Sequence, residues 1–281
     1  MKTRIISGAV GVILIGAVLY FHNTAVLPVA VAAMIAVMLY ELIRAVKLEK
    51  NIPILLSAEI CGVLTPFICY YKCNTPYDVT RTVNAGDLAD LFMFTLVLAA
   101  AFVIFITWLR NHKKIRYEQV FFVLASMILV PQSMTTMLRL ECTGENGLFL
   151  LIMGLCGAWI ADTGAYFTGV TLGKHKLCPE ISPKKTVEGL VGGIVTTGLV
   201  YSIAFSVYDS TFEPLYFIAG AVCAVIGTVG DLSASMVKRQ IGFKDYGKIM
   251  PGHGGLMDRF DSVLFVLPTF YVFSEFISGH H

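Results

Sequence analysis

The chain has 281 residues, of which 56% are hydrophobic and only 14% are charged. Its mean hydropathy is +0.74 and its formal net charge +2. The length would suit one or two soluble domains, but the long charge-poor runs exclude an ordinary soluble protein. They point to helices that cross a bilayer, and no nucleic-acid partner is expected.

An apolar run of about 20 residues spans the hydrocarbon core as a helix. Nine such runs succeed one another, at roughly 5–21, 25–45, 52–71, 88–109, 120–138, 147–171, 188–208, 212–234 and 262–278. The first is preceded by Lys2 and Arg4 and would resemble a signal peptide, but a second spanning run begins almost at once, so a retained helix is expected. In the second run Glu41 stands one turn before Arg44, which predicts a surface ion pair. Glu59 near the end of its run reads as a helix-helix contact or a snorkelling carboxylate. The connection 72–87 carries nothing that suggests chemistry. The predicted fold class is therefore all-α: a polytopic helical membrane bundle of about nine transmembrane helices. Residues 1–146 form an N-terminal set of about five helices. Residues 147–281 carry almost all the informative polar residues.

Alternating the loops from a cytoplasmic N-terminus places eighteen of the 21 Lys and Arg residues inside, with only Lys72, Arg81 and Arg139 outside. Basic residues are biased to the cytoplasmic side, so the prediction is N inside, C outside, in the cell's inner (plasma) membrane. The seven cysteines show no C-x-x-C pair. They read as small hydrophobes, without a disulfide framework or structural zinc.

Three stretches of the second half could carry chemistry. Asp162 sits inside the sixth run with Tyr166 one turn on, and an intramembrane carboxylate is by default a functional hypothesis. By itself it would equally suit a proton relay or an interhelical hydrogen bond. Ser182-Pro183-Lys184-Lys185-Thr186 precedes the seventh run. Adjacent lysines flanked by hydroxyls form a plausible phosphate clamp. Ser182 followed by Pro183 also fits an N-cap with proline at the first helical position.

The third stretch runs from Asp231 to Asp261. If the eighth helix continues past Asp231, then Ser235, Lys238 and Arg239 share its face. Further on come His253, two glycines, Asp258, Arg259 and Asp261. Asp258 and Asp261 are three apart, and paired carboxylates without a His or Cys set favour an oxygen-loving ion such as Mg²⁺ over zinc.

The pattern Ser235-x-x-Lys238-Arg239, Lys244-Asp245, Pro251-Gly252-His253-Gly254-Gly255-x-x-Asp258-Arg259-x-Asp261 resembles the C-terminal motif of the phosphatidate cytidylyltransferases, or CDP-diacylglycerol synthases. The Asp162 block and Ser182–Thr186 are similar to that family as well. The likeness covers roughly 150–265. It implies that CTP and phosphatidate give CDP-diacylglycerol and pyrophosphate, with Mg²⁺ required and a second metal such as K⁺, in a homodimer. The basic loops that carry the candidate residues place the expected active site on the cytoplasmic side. The expected metal ligands are Asp231, Asp258 and Asp261. Ser235, Lys238 and Arg239 are expected to act with Asp258 and Asp261 in catalysis. Ser182, Lys184, Lys185, Thr186, His253 and Arg259 are expected to hold substrate phosphate. Asp162 and Tyr166 would line the cavity or assist the metal. A polyprenol kinase, an isoprenoid-lipid cytidylyltransferase and, more distantly, an ion-coupled transporter are alternatives from other substrate classes. A transporter would leave the Lys-Arg and His-Gly-Gly blocks unexplained.

Overall fold

The computed structural model describes residues 2–75, 84–209, 214–250, 252 and 254–278. Its helices are α1 (Lys2–Tyr20), α2 (Val26–Ala45), α3 (Ile52–Asn74), α4 (Ala85–Arg110), α5 (Tyr117–Met134), α6 (Thr136–Glu141), α7 (Gly147–Leu172), α8 (Val187–Asp209), α9 (Pro214–Ile241), α10 (Met257–Phe260) and α11 (Val263–Ser278). Two strands, β1 (Lys176–Cys178) and β2 (Ser182–Thr186), precede α8. The nine apolar runs correspond to the nine helices other than α6 and α10. Among the described residues, seven helices are long and apolar enough to cross a bilayer. The protein is thus an all-α polytopic membrane protein.

The chain forms two compact units. One comprises residues 1–145 and 245–258, the other residues 146–244 and 259–281. In the first unit α3 packs against α2, α4 and α5. Its core joins Ile43, Ile54, Ile104, Val120 and Met127. Pro66 and Pro131 lie inside α3 and α5, where neighbouring helices and hydroxyls can re-satisfy the backbone. The Pro131 carbonyl receives both the Thr135 backbone N–H at 2.9 Å and the Thr135 hydroxyl at 2.8 Å.

In the second unit α8 packs along both α7 and α9, and α11 along α9. Small residues make this possible, because apolar lipid gives helices little reason to associate except close van der Waals fit. A Cβ on Gly192 would collide with the side chain of Thr168, and one on Gly164 would lie 2.7 Å from Thr196. Further along, Tyr201 is fully buried against Gly157 and donates its hydroxyl to the Met153 carbonyl at 2.8 Å. Each of these contacts fixes the rotation of one helix against the next. That rotation decides which side chains meet at the helix ends.

Candidate active site

The segment between α7 and α8 is a β-hairpin rather than the loop expected from sequence. The strands are antiparallel, with Lys176 opposite Thr186 and Cys178 opposite Ser182, and an irregularity between the two pairs. A two-stranded ribbon tolerates Pro183, since an edge position needs no donor from it. Ser182 therefore lies within β2 and is not the cap of α8. Thr186 takes that part: its Oγ1 accepts the Gly189 backbone N–H at 3.1 Å, three residues on as an N-cap requires. The base of the hairpin is held by Glu188, whose carboxylate receives the Lys174 and His175 backbone N–H groups at 3.1 and 3.2 Å.

The hairpin brings two of the predicted stretches together. A groove of about 410 Å³ is bordered by Asp162 and Tyr166 from α7, and by Lys184, Lys185 and Thr186 from β2. Its remaining walls are largely apolar, with Val170, Leu177 and Leu190 among them. Lys184 is exposed, whereas Lys185 turns inward. The Lys185 Nζ lies 2.5 Å from Asp231 Oδ2 on α9, with both side chains about a quarter exposed (23% and 27%).

The apolar run ends near 234 but α9 continues to Ile241, the case in which Ser235, Lys238 and Arg239 follow Asp231 along one helix. Asp231 therefore sits inside a helix. Ser235 donates to Asp231 Oδ1 at 3.4 Å one turn on. Lys238 reaches toward Asp261, with Nζ 3.9 Å from Oδ2, and Arg239 points into the open. Gly230 makes this arrangement possible. A Cβ there would lie 2.7 Å from the Phe265 ring and 3.0 Å from the Asp261 carbonyl, so only glycine lets residue 261 come so close to α9.

Asp261 is 7% exposed and its Oδ1 accepts the Ser262 backbone N–H at 2.8 Å. Burial, above all, pushes its carboxyl up to about 7. The negative charges of Asp231 and Asp162 add to the effect, and Lys238 and the Ser262 amide oppose it. Three carboxylates thus feel one another's charge, partly offset by Lys185 and Lys238. Among the described residues, no three His, Cys, Asp or Glu side chains stand in a ready metal-binding group. The donor chemistry of Asp162, Asp231 and Asp261 nonetheless fits a hard cation: all are carboxylates, and their mutual repulsion is what such an ion relieves.

Asp258 belongs to the first unit and is differently engaged. It is 8% exposed, and its Oδ2 accepts the backbone N–H groups of Tyr246 at 2.8 Å and Gly255 at 2.9 Å. Asp258 thereby organises the glycine-rich segment around it. Arg259 is exposed. His253 lies outside the described residues.

Sequence reasoning missed Glu41. It is not a surface ion pair but is buried at 1% exposure. Its two oxygens accept the backbone N–H groups of Leu256 at 3.2 Å and Met257 at 2.9 Å. Arg44 donates instead to the Tyr246 carbonyl, at 2.8 Å. The only signal available beforehand was a carboxylate near the end of an otherwise apolar helix, which a solvated helix terminus explains equally well.

Comparison with known proteins covers nearly the whole chain. The model of the family described as "Cytidylyltransferase family" matches residues 2–277. A phosphatidate cytidylyltransferase of Bacillus subtilis (strain 168) is 31% identical over 275 residues, which is 96% of this chain and 96% of that protein. One from Staphylococcus saprophyticus is 36% identical over 186 residues, covering 66% of this chain and 70% of its own. One from Staphylococcus haemolyticus is 34% identical over 186 residues, again covering 66% and 70%. The match spans both units, including the helices that the motif alone left unassigned, and with this coverage the chain belongs to the cytidylyltransferase family.

Proposed function

We propose that the protein transfers CMP from CTP to phosphatidate, giving CDP-diacylglycerol and pyrophosphate. The observation that carries this reading is the groove in which Asp162, Lys184 and Lys185 meet apolar walls, with Lys185 tied to Asp231 behind it. A phosphorylated lipid needs that combination: cations for the head group and an apolar surface for the acyl chains. The full-length likeness to phosphatidate cytidylyltransferases supports the same reading.

The reaction is a phosphoryl transfer between two anions. A phosphatidate oxygen attacks the α-phosphorus of CTP, the bond to the β-phosphate breaks, and pyrophosphate leaves. No general base is required, because a phosphate monoester is largely ionised at pH 7. Catalysis is then mostly positioning and neutralisation of charge. Lys184 and Lys185 receive the phosphate groups at the hairpin. Ser235 and Lys238 line the adjoining face of α9, and Arg239, further out, meets the nucleotide as it arrives. Asp231 and Asp261, with Asp162 nearby, are the groups proposed to hold Mg²⁺, and a second cation such as K⁺ belongs to the same reading. A bound divalent ion supplies neutralisation of the attacking and leaving oxygens. Asp258 acts by ordering the segment before it. The predominance of Lys and Arg on alternate loops supports a cytoplasmic active site, and the family likeness supports a homodimer.

The test is incorporation of radiolabelled CTP into lipid by purified protein, offered phosphatidate, dolichol or an archaeal-type isoprenoid phospholipid. Phosphatidate alone should become labelled. Label in dolichol or in the isoprenoid lipid instead would replace the proposed substrate. Asp261→Asn should abolish Mg²⁺-dependent pyrophosphate release with folding retained, and full activity in that variant would remove Asp261 from the cation site.

A further inference from the structure

The segment 245–258, which contains most of the glycine-rich motif, is fastened within the first unit by two carboxylates. Asp258 Oδ2 takes the Tyr246 and Gly255 amides. Glu41, more than 200 positions earlier on α2, takes the next two, Leu256 and Met257. The Arg44 guanidinium, one turn along α2, closes on the Tyr246 carbonyl. Two glycines make room for this. A Cβ on either Gly247 or Gly255 would run into the Glu41 carboxyl group, so the segment can approach α2 only where it has no side chain.

A buried carboxylate is an expensive way to hold a loop. Desolvating it costs several kcal/mol before any hydrogen bond is returned, and apolar packing would secure a loop without that cost. What a carboxylate adds is direction: two acceptor oxygens fix two consecutive amides, and with them the next residue along, Asp258. From this geometry we propose that Glu41 is a positioning residue for CMP transfer. It holds residues 254–258 in their working conformation through the Leu256 and Met257 amides, and does so from the N-terminal half of the chain, where no functional residue was expected. The inference rests on the proposed cytidylyl transfer for its activity readout only.

The test uses the full-length protein in detergent, with Glu41→Gln and Glu41→Asp. Glutamine keeps the volume but turns an NH₂ group toward one of the two N–H donors. Glu41→Gln should lower kcat at least twentyfold at a temperature where the variant is folded, while the shift of its thermal midpoint on adding CTP stays within threefold in CTP concentration. Glu41→Asp, which retains the charge at a shorter reach, should recover part of the loss. A kcat within twofold of wild type in folded Glu41→Gln would overturn the proposal. Should Glu41→Gln not fold, Gly247→Ala presses on the same carboxyl from the other side, and a kcat within twofold there would overturn it equally. Hydrogen exchange on the wild type supplies an arm independent of the reaction. The Leu256 and Met257 amides should be protected, and exchange at the rate of an unstructured peptide amide would refute the clamp. If wild-type protein labels no lipid while these amides are protected, the reaction is misassigned and the clamp stands.

Discussion

Lys185 Nζ stands 2.5 Å from Asp231 Oδ2, joining the hairpin ahead of α8 to α9. The two residues are 46 positions apart in sequence, and neither motif announces the other. Their pairing has a functional consequence. In the proposed reaction a lysine already resting on a carboxylate would be held in place for an incoming phosphate. Lys185→Ala and Asp231→Asn should each lower CMP transfer by about a hundredfold or more. Combined, they should cost little more than the worse single change, because residues acting as a unit are not additive. Measured kcat/KM for the two singles and the double decides this. Losses that simply multiply would mean that the two side chains act separately.

Lys184 gives a contrast. It borders the same groove but is exposed, so its charge acts through solvent and is screened by salt. Lys184→Ala should raise KM for the anionic substrates several-fold, with kcat changing less than threefold, and the difference from wild type should shrink at 0.5 M salt. A tenfold loss of kcat, insensitive to salt, would place Lys184 beside the reacting phosphates.

Asp261 predicts a pH dependence with a definite sign. Its carboxyl is pushed up from 3.8 to about 7, by burial first and by the charge of Asp231 next. The folded protein therefore binds this proton more tightly than the unfolded chain does. The associated stability is complete below about pH 4 and is lost as pH rises through about 7. Without divalent cation, wild-type protein should lose more thermal stability between pH 5 and pH 8 than Asp261→Asn does. Added Mg²⁺ should raise the wild-type midpoint more at pH 8 than at pH 5.5. Identical pH slopes in wild type and Asp261→Asn would show that this carboxyl does not titrate in the expected window.

Thr186 should be separable into hydroxyl and shape. Its Oγ1 accepts the Gly189 N–H, and its side chain fills the space against Gly169 and Gly173. Thr186→Val keeps the shape and loses the cap, at a cost of about 1 kcal/mol. Thr186→Ser keeps the cap. Activity and thermal midpoint should fall in the valine variant and be largely retained in the serine variant. The reverse order would make packing, rather than capping, the important contribution.

Tyr201 tests the helix packing that supports the site. Tyr201→Phe removes a fully buried hydrogen bond to the Met153 carbonyl. The Met153 carbonyl keeps its helical N–H partner, so the cost is that of one lost hydrogen bond, about 0.5–1.5 kcal/mol. Gly157→Ala would bring a methyl group onto the Tyr201 hydroxyl and should destabilise at least as much. Thermal midpoints in detergent, at fixed lipid and protein concentration, give the comparison. No change in Tyr201→Phe would mean that this buried hydrogen bond contributes nothing net to stability.

The broad class can be read from the order of residues alone. Nine apolar runs long enough to span a bilayer leave little choice, because a backbone in hydrocarbon must satisfy its own hydrogen bonds and the helix does so locally. That order also determined which residues are chemically unusual, since Asp162, Asp231, Asp258 and Asp261 stand out against a charge-poor background. Which partners these residues meet depends on how the helices pack. Period and propensity could not separate a five-residue strand from a capped helix entry at Ser182–Thr186, because Ser-Pro suits both. Pairing with Lys176–Cys178 settled it. Nor could local sequence reveal that Glu41 faces the amides of Leu256 and Met257 rather than Arg44. A carboxylate near a helix end looks the same whether it faces water or receives a returning loop. The partner that distinguishes the two cases lies more than 200 residues away, and contacts of that separation are set by packing, not by any local preference of the chain.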